Sequence, residues 1–363
     1  MKENILMAQH RRLSSSHKDF SLWDIMEMSL EDIFNFICLI KFGEPDMQIC
    51  PHCGAVDKNP RIKNGFSWRC KNCFDSFSLT SGTVFDRCRL PLKKFFLMLF
   101  LFATNPNGIS AVNLSVQTKI NYKTSLVFTH KLREVLLKTR PNHKMSGEIH
   151  IDGGHFGGKP RDGQFRNKAK PEDIANKIKL GKSQGAKRSR MSRANYERRK
   201  RNRRIILVVR KVEPGIGGID TRVFISDAER EDAIRQIVNE CVEPGSLIRT
   251  DEDPAYNFLS AKFEHETVCH KTEYSTINGV SNNHAESMFS RIRRMEYGVT
   301  HRMESRYMLS YANEMAWRDD SRFKTEYEKF SDLLKRVFTS ELSEWFRGYW
   351  QGNKLNCELK LAI

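Results

Sequence analysis

Two short cysteine pairs, Cys50-Pro51-His52-Cys53 and Cys70-Lys71-Asn72-Cys73, stand 16 residues apart. No other feature narrows the fold so much, because two Cys-x-x-Cys knuckles at that separation bring four thiolates to one tetrahedral centre. A four-thiolate centre is closed, so the Zn²⁺ it takes is structural and leaves no position open for chemistry. Residues 46–82, with their aromatics and short alternating runs, therefore read as a zinc ribbon with too little apolar area to fold without metal. His52 reads as an exposed spacer within the first knuckle. The other five of the nine cysteines have no partner spacing, and a disulfide framework is not expected in a reducing compartment.

Charge is the second constraint. The chain of 363 residues holds 61 Lys+Arg against 44 Asp+Glu, a formal +17 that points to a polyanionic partner. Between Arg161 and Arg204 there are 17 Lys/Arg and 4 Asp/Glu, so most of the excess sits in one segment with little apolar content. Such a run reads as a basic loop or loosely helical arm that touches nucleic-acid phosphates without reading sequence, with Arg198, Arg199, Lys200, Arg201, Arg203 and Arg204 as contacts. A membrane surface is the rival partner. No apolar run approaches the roughly 18 to 20 residues of a spanning helix; the best is Phe95–Ala103, and no signal-peptide core opens the chain, so a cytoplasmic protein is expected.

Around the ribbon the periodicity is helical. Residues 1–45 form an N-terminal helical segment, with Ser29 and Asp32 as its cap and Leu30, Ile33, Phe34 and Ile37 on one face. Residues 90–140 carry three helical patterns, the second short, which suggests a helix-turn-helix DNA-binding region. Its third helix is the candidate for reading sequence, through Lys119, Lys123, Lys131 and Arg133.

Residues 147–320 then alternate strands and helices as an α/β domain, into which the basic segment 161–204 is inserted. Ile149–Asp152, Ile205–Arg210, Arg222–Ile225 and Ser246–Thr250 read as strands. Ser226-x-x-Glu229 reads as the capping box of a helix with Ala233, Ile234, Ile237, Val238 and Cys241 inward. Residues 321–363 read as C-terminal helices, with Leu333, Leu334, Val337 and Phe338 in the core. The fold class is thus multi-domain α/β.

Three acids suit phosphoryl transfer by metal ions: Asp152 and Asp251 at strand exits, and Glu286 near the start of a helix that buries Ala285, Met288, Phe289, Ile292 and Met295. Two hard cations about 3.5–4 Å apart need carboxylates brought together from distant segments. Residue chemistry alone does not single out these three among 44 acids. The surrounding motifs do more. Ile151-Asp152-Gly153-Gly154-His155-Phe156-Gly157-Gly158-Lys159, Thr250-Asp251-Glu252-Asp253-Pro254-Ala255-Tyr256 and Asn283-His284-Ala285-Glu286-Ser287-Met288-Phe289-Ser290-Arg291-Ile292-Arg293 resemble, in order, the three acidic motifs of zinc-ribbon DDE transposases of bacterial insertion sequences. Gly298-Val299-Thr300-His301-Arg302 and Tyr311-Ala312-Asn313-Glu314-Met315-Ala316-Trp317-Arg318 resemble that family's trailing signature.

This resemblance implies an RNase H-like mixed-sheet catalytic domain, dependence on Mg²⁺ or Mn²⁺ held by Asp152, Asp251 and Glu286, and binding of transposon-end and target DNA. It implies two steps at one site, in which water and then the freed 3′-hydroxyl attack phosphodiesters with no covalent enzyme intermediate, on a homodimer holding paired ends. Arg291, Arg293, Arg294, His301, Arg302 and Arg318 would hold phosphates near Glu286. His284, Asn283 and His301 are auxiliary candidates, His284 being the rival third ligand. The chain departs from the family where Gly153 follows the first aspartate in place of an acid, and where His155 stands in place of a tyrosine. Two alternatives share these features: a zinc-ribbon DNA-binding regulator without a working site, and an RNase H-like nuclease.

Overall fold

The computed structural model describes residues 12, 14–62, 66–157, 203–268 and 283–361. Most of the basic segment, including Arg198, Arg199, Lys200 and Arg201, lies outside them.

The chain enters through α1 (Leu22–Glu27) and α2 (Leu30–Phe42). Each opens on a reciprocal capping box; the second is the Ser29 and Asp32 pair predicted from sequence. Two small hairpins follow, β1 (Gln48–Ile49) with β2 (Val56–Asp57) and β3 (Ser67–Arg69) with β4 (Ser76–Ser78), each with a cysteine knuckle in the loop that joins its strands. Helices α3 (Leu92–Thr104), α4 (Ala111–Thr118) and α5 (Tyr122–Lys138) then pack in sequence. The turn between α4 and α5 places Lys119 at φ 52°, the left-handed conformation common at helix ends.

The central sheet uses β5 (Glu148–Phe156), β6 (Arg204–Glu213), β7 (Gly217–Ser226), β8 (Leu247–Asp251) and β9 (Glu264–Val268). Its spatial order is β7-β6-β5-β8-β9; β5, β6 and β7 pair antiparallel, while β8 runs parallel to both β5 and β9. Ile205 to Val209 are buried on both faces, as a continuous apolar run requires of an inner strand. One face packs Ile149, Ile151, Leu207 and Val209 against the inward residues of α6 (Glu231–Cys241). The other packs Phe156, Ile206, Val208, Val223 and Ile225 against α7 (Asn283–Met295) and α8 (Ser305–Asp320).

A third core joins the ribbon, α2, α3 and α5 to α9 (Glu326–Thr339), so a helix from the far end of the chain completes the N-terminal core. Trp68 of β3 is 1% exposed there, with ring contacts to Phe34, Phe42 and Phe77. Burying that indole on an existing core gives the ribbon apolar area it cannot supply alone.

Two elements depart from the sequence reading. Ser226 does not cap α6: it ends β7, its Oγ donates to the Ala228 carbonyl, and the residue before the helix, Arg230, makes no side-chain cap. Helix α5 does not present a free recognition face, because Phe128 to Leu137 is buried except Lys131. Its solvent surface is concentrated in the first turn, around Tyr122 and Lys123. Among the described residues no helix is long and apolar enough to cross a membrane.

Candidate active site

Strand pairing brings the first two acids side by side. Glu148 to His150 of β5 pair with Leu247 to Arg249 of β8, and continuing that parallel register sets Asp152 beside Asp251. Asp152 points to the α7 face with His150 and Phe156, because side chains alternate along a strand. Above it, Gly154 meets the Phe289 ring of α7 so closely that an added Cβ would lie 2.6 Å from it. Only a residue without a side chain lets the helix approach the strand at that point.

The start of α7 is held down from below. Arg210 of β6, 1% exposed, donates to the His284 carbonyl (3.0 Å) and to Ser287 Oγ (3.2 Å), and pairs with Asp319 of α8. Glu286 lies between those two anchors, exposed on the first turn, and its charge acts on Asp152. Asp152 itself is 8% exposed. Burial first, then the negative charges of Asp251, Glu229 and Glu286, push its carboxyl up to about 8, against the pull of a hydrogen bond from the Gly153 amide. All three expected acids therefore act on one place, and a fourth, Glu229, joins them.

Glu229 and Tyr256 were not legible as site residues. Tyr256 is fully buried and its hydroxyl donates to Glu229 Oε1. The Glu229 carboxyl is itself pushed up to about 7, by burial and by the charges of Asp251 and Asp253, although the tyrosine bond opposes this. In sequence Glu229 fits a capping box equally well, and nothing local marks it as facing Asp152.

His284 faces elsewhere. Its ring lies 5.3 Å from that of His150, near Glu148 and Arg210, and the charges acting on Asp152 do not include it. Asn283 has no described side chain.

Residues 144–320 match the model of the ISXO2-like transposase domain. This stretch of the chain is similar to that domain. The comparison with curated proteins returns no match. The transposase domain begins before β5 and ends at α8, so it takes in the whole central sheet and the three acids. The ribbon, α3 to α5 and α9 lie outside the matched span.

Upstream of the transposase domain, the Sγ atoms of Cys50, Cys53, Cys70 and Cys73 lie within 4.8 Å of one another, an arrangement that could hold zinc. Cys53 to Cys70 is 3.6 Å and Cys50 to Cys73 is 3.7 Å. A tetrahedral ion with Zn–S bonds of about 2.3 Å needs sulfurs roughly 3.8 Å apart, so the donor set fits. The knuckles repeat each other, since Gly54 and Phe74 both turn back to donate to the carbonyl of their leading cysteine. His52 is exposed and is not part of the cluster.

The cationic candidates divide sharply. Arg133 is 3% exposed and its Nε donates to Glu314 Oε2 at 2.7 Å, so it cannot reach a DNA groove from this position. Arg318 is 7% exposed, bound by Glu314 and by the carbonyls of Phe102, Ala103 and Asn105, and holds the helices together rather than a phosphate. Arg204 forms a bidentate pair with Glu358 and a further pair with Asp227, fastening β6 to the C-terminal tail. For Arg133 and Arg204 an acid distant in sequence closes on the guanidinium; for Arg318 the acid is Glu314, one turn earlier on the same helix, and the distant partners are the carbonyls at the end of α3. Arg291 is half-buried against Asp319, and Lys131 is half-buried over the Phe85 ring. Lys119, Lys123, Arg293, Arg294, His301 and Arg302 are exposed, Arg293 lying over the Phe156 ring and Lys123 over Trp350. Arg203 reaches His155 just beyond the acids on β5.

Proposed function

We propose that this chain is the DNA transposase of an insertion sequence, cutting phosphodiesters at transposon ends and joining them to target DNA, with Asp152, Asp251 and Glu286 holding Mg²⁺ or Mn²⁺. The observation that carries the reading is the gathering of negative charge on a buried aspartate: none of the charges acting most strongly on Asp152 is positive. Like carboxylates share such a site at a cost that a divalent cation removes. Acceptor-only oxygens from two strands and a helix are also the donor set that hard cations prefer.

Bound there, divalent ions would polarise the scissile phosphodiester, activate the attacking oxygen and stabilise the leaving one. The chain's own residues supply position. Arg210 ties the first turn of α7 to the sheet and so fixes the height of Glu286, while the Gly154 and Phe289 contact sets the helix against the strand. The sheet order, with three antiparallel strands, β7, β6 and β5, followed by two strands parallel to β5, supports an RNase H-like reading of the domain. Exposed Arg293, Arg294 and Arg302 follow Glu286 in sequence and are suited to the phosphates of bound DNA. The four-thiolate ribbon would carry structural Zn²⁺, and the two chemical steps would take place on paired ends in a homodimer.

The test is cleavage of a duplex carrying the element's ends, with Mg²⁺ or Mn²⁺, by wild type and by Asp152→Asn, Asp251→Asn and Glu286→Gln. Each variant should lose end cleavage by more than about a thousandfold while still binding DNA. Wild-type protein that binds ends yet never nicks them would leave a regulator. Protein that cuts but never joins a 3′-hydroxyl to target DNA would be a nuclease.

A further inference from the structure

We propose that Glu229 is a fourth carboxylate of the cation site, seated there by the Tyr256 hydroxyl and by the absence of a side chain at residue 153. The proposal deepens the reading of Asp152, Asp251 and Glu286 as cation-holding acids, and rests on it.

Three observations lead to it. A Cβ added at Gly153 would lie 2.5 Å from both carboxylate oxygens of Glu229, so the carboxylate occupies the space that a side chain on the neighbour of Asp152 would fill. Tyr256, fully buried beneath it, donates its hydroxyl to Oε1 and aims the group inward. The charge of Glu229 acts on Asp152, and those of Asp251 and Asp253 act on Glu229, so it belongs to the same electrostatic group as the expected ligands.

The plainer role is excluded by position. Glu229 precedes α6 by two residues, but the N-cap position belongs to Arg230, the first-turn amide of Ala233 donates to Asp232, and the described partner of the Glu229 carboxylate is the Tyr256 hydroxyl rather than a helix amide. A buried tyrosine hydroxyl does need an acceptor, but a neutral amide oxygen would serve as well. Placing a full negative charge beside Asp152 and Asp251 is repulsive without a cation and favourable with one. Glycine at 153 is the sequence feature that admits it, and accounts for the departure from the resembling family at that position.

Mn²⁺ binding to the full-length, zinc-loaded protein without DNA, followed by the electron paramagnetic resonance signal of free Mn²⁺, decides the matter. Glu229→Gln keeps an oxygen for Tyr256 and removes the charge; Gly153→Ala keeps the charge and displaces the carboxylate. Both should weaken Mn²⁺ binding by about 10- to 100-fold, with the melting temperature of Glu229→Gln near that of wild type. If Glu229→Gln binds Mn²⁺ as wild type does while Asp152→Asn loses it, Glu229 is only the partner of Tyr256 and the proposal is overturned. If Asp152→Asn also binds as wild type, the cation reading of the site has failed and this proposal with it. Should Glu229→Gln not fold, unchanged Mn²⁺ affinity in a folded Gly153→Ala protein overturns the proposal equally.

Discussion

Glu314 is the residue whose loss should damage this fold most, and its surroundings set the size of the effect. It is fully buried in α8 and accepts from Arg133 Nε of α5 at 2.7 Å and from Arg318 Nη2 at 2.7 Å. Glu314→Ala leaves two buried guanidiniums facing each other. Arg318 keeps three backbone carbonyls at the end of α3, whereas Arg133, among the described residues, is left against the Phe102 and Tyr311 rings, the latter at 4.3 Å. Removing the shared partner of buried charges costs about 3–5 kcal/mol, or a fall of ~6–20 °C in melting temperature for a domain of 150–250 residues. Arg133→Met leaves Glu314 paired with Arg318 and should cost only about 1–3 kcal/mol. Urea unfolding followed by circular dichroism gives both values. Burial would push the Glu314 carboxyl up, but the two guanidiniums more than reverse this and hold it below its ordinary value of 4.5. A depressed folded-state pKa contributes stability that is present above the unfolded value and lost as pH falls through the folded one. The gap between wild type and Glu314→Gln should therefore be full at neutral pH and close only below pH 4.5. A loss under about 1 kcal/mol for Glu314→Ala, or a larger loss for Arg133→Met than for Glu314→Ala, would refute the account.

Two further outcomes are expected. Cys50→Ser, or prolonged chelation, should release one equivalent of zinc and unpack Trp68 from Phe34, Phe42 and Phe77; unchanged near-ultraviolet dichroism after zinc loss would contradict a structural metal. Deleting residues 161–200 should weaken DNA binding and flatten the slope of log K against log salt. An unaltered slope would mean that this segment does not touch phosphates.

What the sequence made legible was local, and what it hid was paired across distance. Periodicity located the inward residues of α6, α7 and α9, all of which are buried, because amphipathic spacing is written in consecutive residues. The cysteine knuckles were equally readable, since ligand spacing within a knuckle is itself the geometry of the site. Charged side chains were not. Arg133 and Arg204 look like any other cations on a basic chain, and only folding shows that Glu314 and Glu358 neutralise them; Arg318 has Glu314 four residues before it, but its ties to α3 also appear only on folding. The same blindness hid Glu229, whose three-residue spacing from Ser226 suited a helix cap.

The residues that sequence reading assigned to phosphates and those that the fold uses as ties are chemically identical, and burial separates them. Glu314 and Arg318 link α8, the last helix of the transposase domain, to α3 and α5 outside it. Arg210 links the sheet to the first turn of α7. The Arg210 tie holds the first turn of α7, and with it Glu286, against the sheet through a cation that is 1% exposed. Part of the chain's positive charge is thus kept from the surface, for Arg133 and Arg210 by acids distant in sequence and for Arg318 by one on its own helix. Other cations, Arg293, Arg294 and Arg302 among them, stay exposed.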